Sequence, residues 1–425
     1  MCLLPFSTGT GSGSFVISFA FPFLILLALF IVGVFITRKE RVNYSQDLKL
    51  TLLCGLLHVF AIFIASLMNE SLVLSFARAI FDFVGFAIFL YITSNSSISK
   101  DAILAYNKVS SLFILSGFVM SVYFIINFLL AVQQNSLDKV LLERENGGLM
   151  SLPWGASNTI AACLMMPFFS ALDRLFNAPA PDPAPDLPQL LAQIKVKKKK
   201  KKSNWMLAIM LTIVMAILIT QSRNVTITLL LSTIFIGGST RNAKQTLIFV
   251  GLLAVIFISI TSFYGQDLDT IFDARVGDGA ADIGGFNGRT TLWELSILYF
   301  LNHPLEPLGY FGMLSELGHT GHNIFLTTLV EQGIFGLVAY ILFTVNNFTF
   351  CLKKMASKSL SFVTKRRMVL YTIANFAILI QLQFEDSNLT AQNIVYQWVF
   401  LALMYLSAYC DPPQSEELLI LPESL

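Results

Sequence analysis

The sequence predicts an all-α, polytopic membrane protein of about eleven transmembrane helices, with one partly helical loop on the far side of the membrane. Three observations predict it. The 425 residues are 55% hydrophobic and only 13% charged, with 38 phenylalanines, and the mean hydropathy is +0.70, a composition that no water-soluble fold of this size tolerates. The apolar residues gather in long runs, where barrel strands would give short alternating ones. Lysine and arginine fall preferentially in alternate loops.

The first run, 15–37, is too long for a cleaved signal peptide and is followed by Arg38, Lys39 and Arg41 in place of a small-residue cleavage site, so it is expected to stay as a span. Further runs follow at 50–68, 72–93, 107–132, 156–176, 204–222, 225–240, 245–262, 323–350, 368–384 and 391–410. Placing Arg38 to Arg41 in the cytoplasm also puts there Lys49, Lys100, Lys108, the Lys195 to Lys202 cluster, Arg241, Lys244, Lys353, Lys354, Lys358, Lys365, Arg366 and Arg367. Outside or near it remain Lys139, Arg144, Arg223, Arg275 and Arg289, with Arg78 in a span. This register sets the N-terminus outside and the C-terminus in the cytoplasm.

The expected organisation is an N-terminal transmembrane bundle (1–176), a cytoplasmic Pro/Lys-rich loop (177–203), central transmembrane helices (204–262), an extracytoplasmic loop (263–322), C-terminal transmembrane helices (323–410) and a cytoplasmic tail (411–425). The 177–203 loop joins APAPDPAPDLP to six consecutive lysines, which cannot build a core. It reads as a disordered topological anchor, or as a segment docking on anionic membrane lipids. Cys2, Cys54, Cys163, Cys351 and Cys410 show no ligand spacing and read as small hydrophobes.

Chemistry concentrates in the 263–322 loop, which holds three of the four histidines. Its middle, 277–288, is glycine-rich, whereas Arg289 to Leu301 reads as a helix, with Trp293, Ile297 and Phe300 at helical spacing and His303 and Pro304 ending it. Three features converge on the outer surface: Arg223 at the outer end of a span, Arg289 opening the loop helix, and His322 where the next span begins. Two guanidinium forks suit a diphosphate, and an imidazole suits proton abstraction from a hydroxyl. Each also has a plainer reading: Arg223 and His322 as interfacial anchors, Arg289 as a surface charge. A cation at a helix start opposes the helix dipole, which favours an anionic partner for Arg289.

His303 and His319, with Asp267, Asp269, Asp273, Asp278 and Asp282, raise a metal site as a rival, but no His pair sits at i, i+4 and the acidic spacing fits no calcium loop. We therefore expect no metal. Within the spans, Arg78 and Asp82 share a helix face and can pair. Glu331, nine residues into its span, needs a partner or a proton, and Gly333 and Gly336 beside it would let another helix pack closely.

The stretch from His322-Asn323 through Leu326, Leu329, Glu331, Gly333 and Gly336 resembles the signature of the O-antigen ligase and O-antigen polymerase superfamily, approximately HNxxLxxLxExGxxG. Arg289 to Trp293, followed by Pro304 and Gly309, looks like the family's arginine and tryptophan segment with its proline and glycine turn. Ser222-Arg223 is similar to its serine-arginine pair.

The resemblance implies an inner-membrane enzyme that moves a glycan from undecaprenyl diphosphate to a sugar hydroxyl on the periplasmic face. It implies no metal, no nucleotide cofactor and no nucleic-acid partner. His322 would be the base, and Arg223 and Arg289 would hold the diphosphate. Asn323, Arg275, His319, Glu331 and Arg78 would support them. The acceptor would be lipid A core for a ligase or a lipid-linked repeat unit for a polymerase, and sequence leaves both open. A transporter or flippase for the same lipid-linked sugars is the competing class, although no internal repeat is visible and the polar residues cluster at one face.

Overall fold

Hydrocarbon-length apolar runs fold as helices here, and short polar side chains set several of their ends. The computed structural model describes residues 45–70, 72–94, 99–135, 139–140, 157–176, 205–220, 222–239, 289–304, 306–310, 312–313, 321–384 and 391–410, with Leu26, Leu29, Gly33 and Gly251. Among them there is no strand. In chain order the helices are α1 (Gln46–Ser66), α2 (Leu72–Thr93), α3 (Ser99–Asn135), α4 (Ser157–Phe176) and α5 (Trp205–Ile219). They continue as α6 (Arg223–Ser239), α7 (Arg289–Asn302), α8 (Ile324–Ala356), α9 (Phe362–Gln381) and α10 (Ala391–Ser407). The Ser45 and Ser361 hydroxyls cap α1 and α9, accepting from Leu48 N at 3.3 Å and Thr364 N at 3.2 Å.

These helices coincide with the apolar runs between 50 and 176, from 204 to 240 and from 323 to 410. The runs at 15–37 and 245–262, apart from the four isolated residues, and the 177–203 loop lie outside the described residues. α1, α8, and nearly all of α3 and α4 are long and apolar enough to cross a membrane, while α2, α5, α6 and α10 give shorter apolar stretches. α9 carries Lys365, Arg366 and Arg367 in its first turns, so its long uncharged run is 368–381.

α10 is the central strut, packing on α2, α3, α4 and α9 with Val395, Tyr396, Val399, Leu403 and Met404 fully buried. Close approach needs glycine at two places. The Trp398 indole lies on Gly85 of α2, where a Cβ would sit 2.2 Å from the ring. Pro167 of α4 fits against Gly117 of α3, where a Cβ would sit 2.4 Å away. Cys54, Cys163, Cys351 and Cys410 are buried and in no disulfide; Cys2 lies outside the described residues.

The bundle has two unlike ends. At one end Asp47 pairs with Lys354 at 3.3 Å, Asp173 with Arg367 at 3.2 Å, and Tyr405 OH donates to Asn347 Oδ1 at 2.9 Å. The first turns of α1, α3 and α9 meet the last turns of α4, α8 and α10 there, in a basic rim. The opposite end holds α7, the start of α8, the end of α9 and the α1–α2 corner.

Candidate functional site

The start of α8 places His322. Asn323 is the N-cap, with Oδ1 accepting from Phe325 N at 3.0 Å and Leu326 N at 3.2 Å. Ile324 N donates to Leu382 O at 3.0 Å, fixing this turn to the end of α9. His322, immediately before the cap, is half-buried with φ 45°, a left-handed conformation that is uncommon outside glycine. Such a conformation costs on the order of 1–3 kcal/mol and persists only where neighbours over-determine it. The neighbours are Asn323 on one side and Gly321 on the other, whose carbonyl accepts from Trp293 Nε1 at 3.0 Å. Gly321 has no room for a side chain, because a Cβ would lie 2.6 Å from Thr327 Oγ1.

Trp293 belongs to α7, which packs against α8. Arg289, the first residue of α7, is half-buried and one turn before Trp293, so both share the face turned to the His322 segment. Helix geometry thus sets Arg289 one turn from the Trp293 that bonds the segment before His322. Of the apolar positions at helical spacing, Trp293 and Phe300 are half-buried and Ile297 is exposed. The fully buried residue of α7 is Ser296, because Leu295, Ile297, Leu298 and Leu301 present the outer face.

Other sequence-predicted residues fall differently. Arg223 opens α6 directly after the buried Ser222, but its side chain, like that of Arg78 in α2, lies outside the described residues. Arg275, His319 and the five loop aspartates lie outside them altogether. His303 turns to a local partner, Glu306 at 3.7 Å, and stacks on Tyr299. Among the described residues no group of three His, Cys, Asp or Glu side chains could hold a metal.

Glu331 is buried, and its Oε1 accepts from Met313 N at 3.1 Å. Gly333 next to it does not admit a second helix, as the sequence suggests. Its φ of 69° and ψ of −171° break α8, and the ring of Pro307 packs where a Cβ would point. Gly336 likewise makes room for the side chain of Gln332 on its own helix, where a Cβ would lie 2.2 Å from Gln332 Cβ. Small residues in a span can serve packing or backbone freedom, and here Pro307 and Gln332 decide for the latter uses.

The break is filled by 306–310 and 312–313, a strap that follows α7 and returns to the bundle. Leu308 N donates to Val330 O at 3.0 Å, supplying a partner for a carbonyl next to the break. Gly309 (φ 85°) and Gly312 close a tight turn, with Gly312 N donating to Gly309 O at 2.9 Å. Tyr310 OH then donates to Asp82 Oδ2 at 2.9 Å, and Trp398 also bonds that carboxylate.

Behind the strap is a cavity of about 70 Å³, walled by α1, α2, α8 and α10 and lined by His58, Asp82, Tyr310, Glu331, Gln332 and Trp398 among others. His58 stacks on Phe343 at 5.7 Å. His58 Nδ1, Thr327 Oγ1 and Gln332 Oε1 are buried without a protein hydrogen-bond partner, and a cavity of this size admits the water that would satisfy them. Sequence reasoning passed over His58, Tyr310 and Gln332. The fourth histidine in an apolar run was the available signal for the first, and nothing local marked the others.

The arrangement can bind an anion through Arg289 and remove a proton through His322 at the mouth of α8, with Glu331 and Asp82 holding the strap behind them. Residues 208–341 match the family described as O-antigen ligase. The match spans α5 to the first half of α8 and so contains Arg223, Arg289, His322 and Glu331. No curated protein matches the chain.

Proposed function

We propose that this multi-pass membrane protein, whose residues 208–341 match the O-antigen ligase family, transfers a glycan from undecaprenyl diphosphate to a sugar hydroxyl, lipid A core being the acceptor. His322 takes the proton of the acceptor hydroxyl as its oxygen attacks the anomeric carbon. The bond from that carbon to the diphosphate oxygen breaks in the same displacement, and the configuration inverts. Arg289 and Arg223 stabilise the charge that develops on the departing diphosphate, so no metal is called for.

The observation that carries this reading is the left-handed His322 pinned by Trp293, on the helix that Arg289 opens. The opposite, basic end supports a cytoplasmic placement of Lys353, Lys354, Lys358, Lys365, Arg366 and Arg367. That leaves the site periplasmic on the inner membrane, with about eleven spans, N-terminus out and C-terminus in. The 263–322 segment is then the catalytic loop between the central and C-terminal transmembrane helices.

Purified full-length protein, mixed with undecaprenyl-diphosphate-linked oligosaccharide and lipid A core, should join the two into a product of lower electrophoretic mobility. A polymerase would instead lengthen the lipid-linked donor. In cells lacking the protein, bare core favours the ligase, whereas core bearing one repeat unit favours the polymerase. One observation favours a different class: a helix broken within a span is a device of transport sites. A transporter makes no new glycosidic bond, so the same assay decides against one or the other.

A further inference from the structure

We propose that Tyr310 and Asp82 are positioning residues, through which the α1–α2 pair, outside the family-matched segment, sets the place of α7 and hence of Arg289. This rests on the reading that Arg289 grips the donor diphosphate.

The strap begins four residues after α7 ends, so wherever the strap is held, α7 is held. It is held on two sides. On α8 it meets the break through Leu308 N, Pro307 and Met313 N, as described above. On α1 and α2 nearly every polar group of Tyr310 is taken. Its N–H donates to Ala65 O at 3.2 Å, its carbonyl accepts from Asn69 Nδ2 at 3.1 Å and from Ser75 Oγ at 2.6 Å, and its hydroxyl donates to Asp82.

Gly309 presses against the backbone of Asn69, where a Cβ would stand 2.5 Å from the Asn69 nitrogen. The only side-chain-to-side-chain bond in this set that reaches the core of the bundle is Tyr310 to Asp82, a carboxylate 6% exposed. It runs from the strap into the wall of the cavity that Glu331 and His58 also line. A local stabilising contact would need none of this reach. A latch between the N-terminal helices and the site-bearing loop does.

The test uses the purified full-length protein and three variants: Tyr310→Phe, Asp82→Ala and Asp82→Asn. Asn keeps an acceptor for the tyrosine hydroxyl. The inference expects Tyr310→Phe and Asp82→Ala to lower kcat/KM for the lipid-diphosphate donor on the order of tenfold, since small misplacements of a gripping group are costly. KM for the acceptor stays unchanged, and Asp82→Asn stays near wild type. The double variant Tyr310→Phe with Asp82→Ala should be no worse than the worse single. Unchanged kinetics toward the donor, equal effects on both KM values, or additive singles overturns it.

Hydrogen exchange of 306–313 gives a readout that needs no transfer reaction. Tyr310→Phe and Asp82→Ala should accelerate exchange there and in α7, and unchanged exchange removes the latch whatever the protein catalyses. Binding of undecaprenyl diphosphate alone to wild type tests the premise separately. If it fails to bind while the latch variants still loosen α7, the diphosphate reading falls and the mechanical coupling stands.

Discussion

The two ends of the bundle solve opposite problems. At the basic end the buried carboxylate of Asp173 is paired: it accepts from Arg367 through both oxygens at 3.2 Å and from Tyr106, and Thr51, Tyr405, Asn346 and Asn347 form a closed hydrogen-bonded set. The helices there are regular. At the other end α8 is broken, His322 sits at φ 45°, and a loop is threaded back to complete a helix it does not belong to. The contrast teaches where the chain keeps order and where it keeps strain: stability is stored at the end that has no chemistry, which lets the other end hold unfavourable geometry.

That division can be broken from either side. His322→Ala should lower transfer by on the order of 10²–10⁴-fold, the usual worth of a general base, while the thermal midpoint of the detergent-solubilised protein stays near wild type. Retention of a large share of the turnover would remove His322 as the base. Asp173→Ala should do the reverse. Removing one partner of a buried ion pair costs about 3–5 kcal/mol, so the melting midpoint should drop markedly, yet turnover per folded molecule should hold. If Asp173→Ala lost activity without losing stability, the two ends would not be functionally distinct.

The same contrast explains what was legible in the sequence. α2 coincides with its apolar run at 72–93, and the other described spans agree within a few residues at most ends, because the hydrocarbon layer imposes run length directly. The start of α7 at Arg289 and its end before His303 were also readable, from glycines before it and a proline after it. The strap was not. Its bonds to Asn69, Ser75 and Asp82 join residues 241, 235 and 228 positions apart, and no local pattern encodes such pairs. Asp82 illustrates the point. Spacing offered Arg78 one turn away, whose side chain lies outside the described residues, and the partner the structure does show is a tyrosine from the far loop. Gly333 was visible as a glycine, but whether it packs a helix or breaks one depended on Pro307.

At the site itself, Arg289→Lys sharpens the comparison. A point charge cannot copy the planar fork, so catalytic efficiency for the diphosphate donor should fall on the order of 10²-fold with stability untouched. Lysine working as well as arginine would contradict the diphosphate role.

The smallest expected effect concerns Asn323, which follows the histidine in the family-like motif and whose side chain spends its oxygen on two backbone N–H groups of α8. Read from geometry, its role is to hold the turn that keeps His322 left-handed. Asn323→Asp preserves the cap and should keep most of the activity, whereas Asn323→Ala should lower stability by about 1 kcal/mol and activity with it. Steady-state kinetics and melting of the two variants together separate the possibilities. Should Asn323→Asp lose transfer while melting as wild type, the amide nitrogen must face the substrate, and strain at the site would be maintained by Trp293 and Gly321 alone.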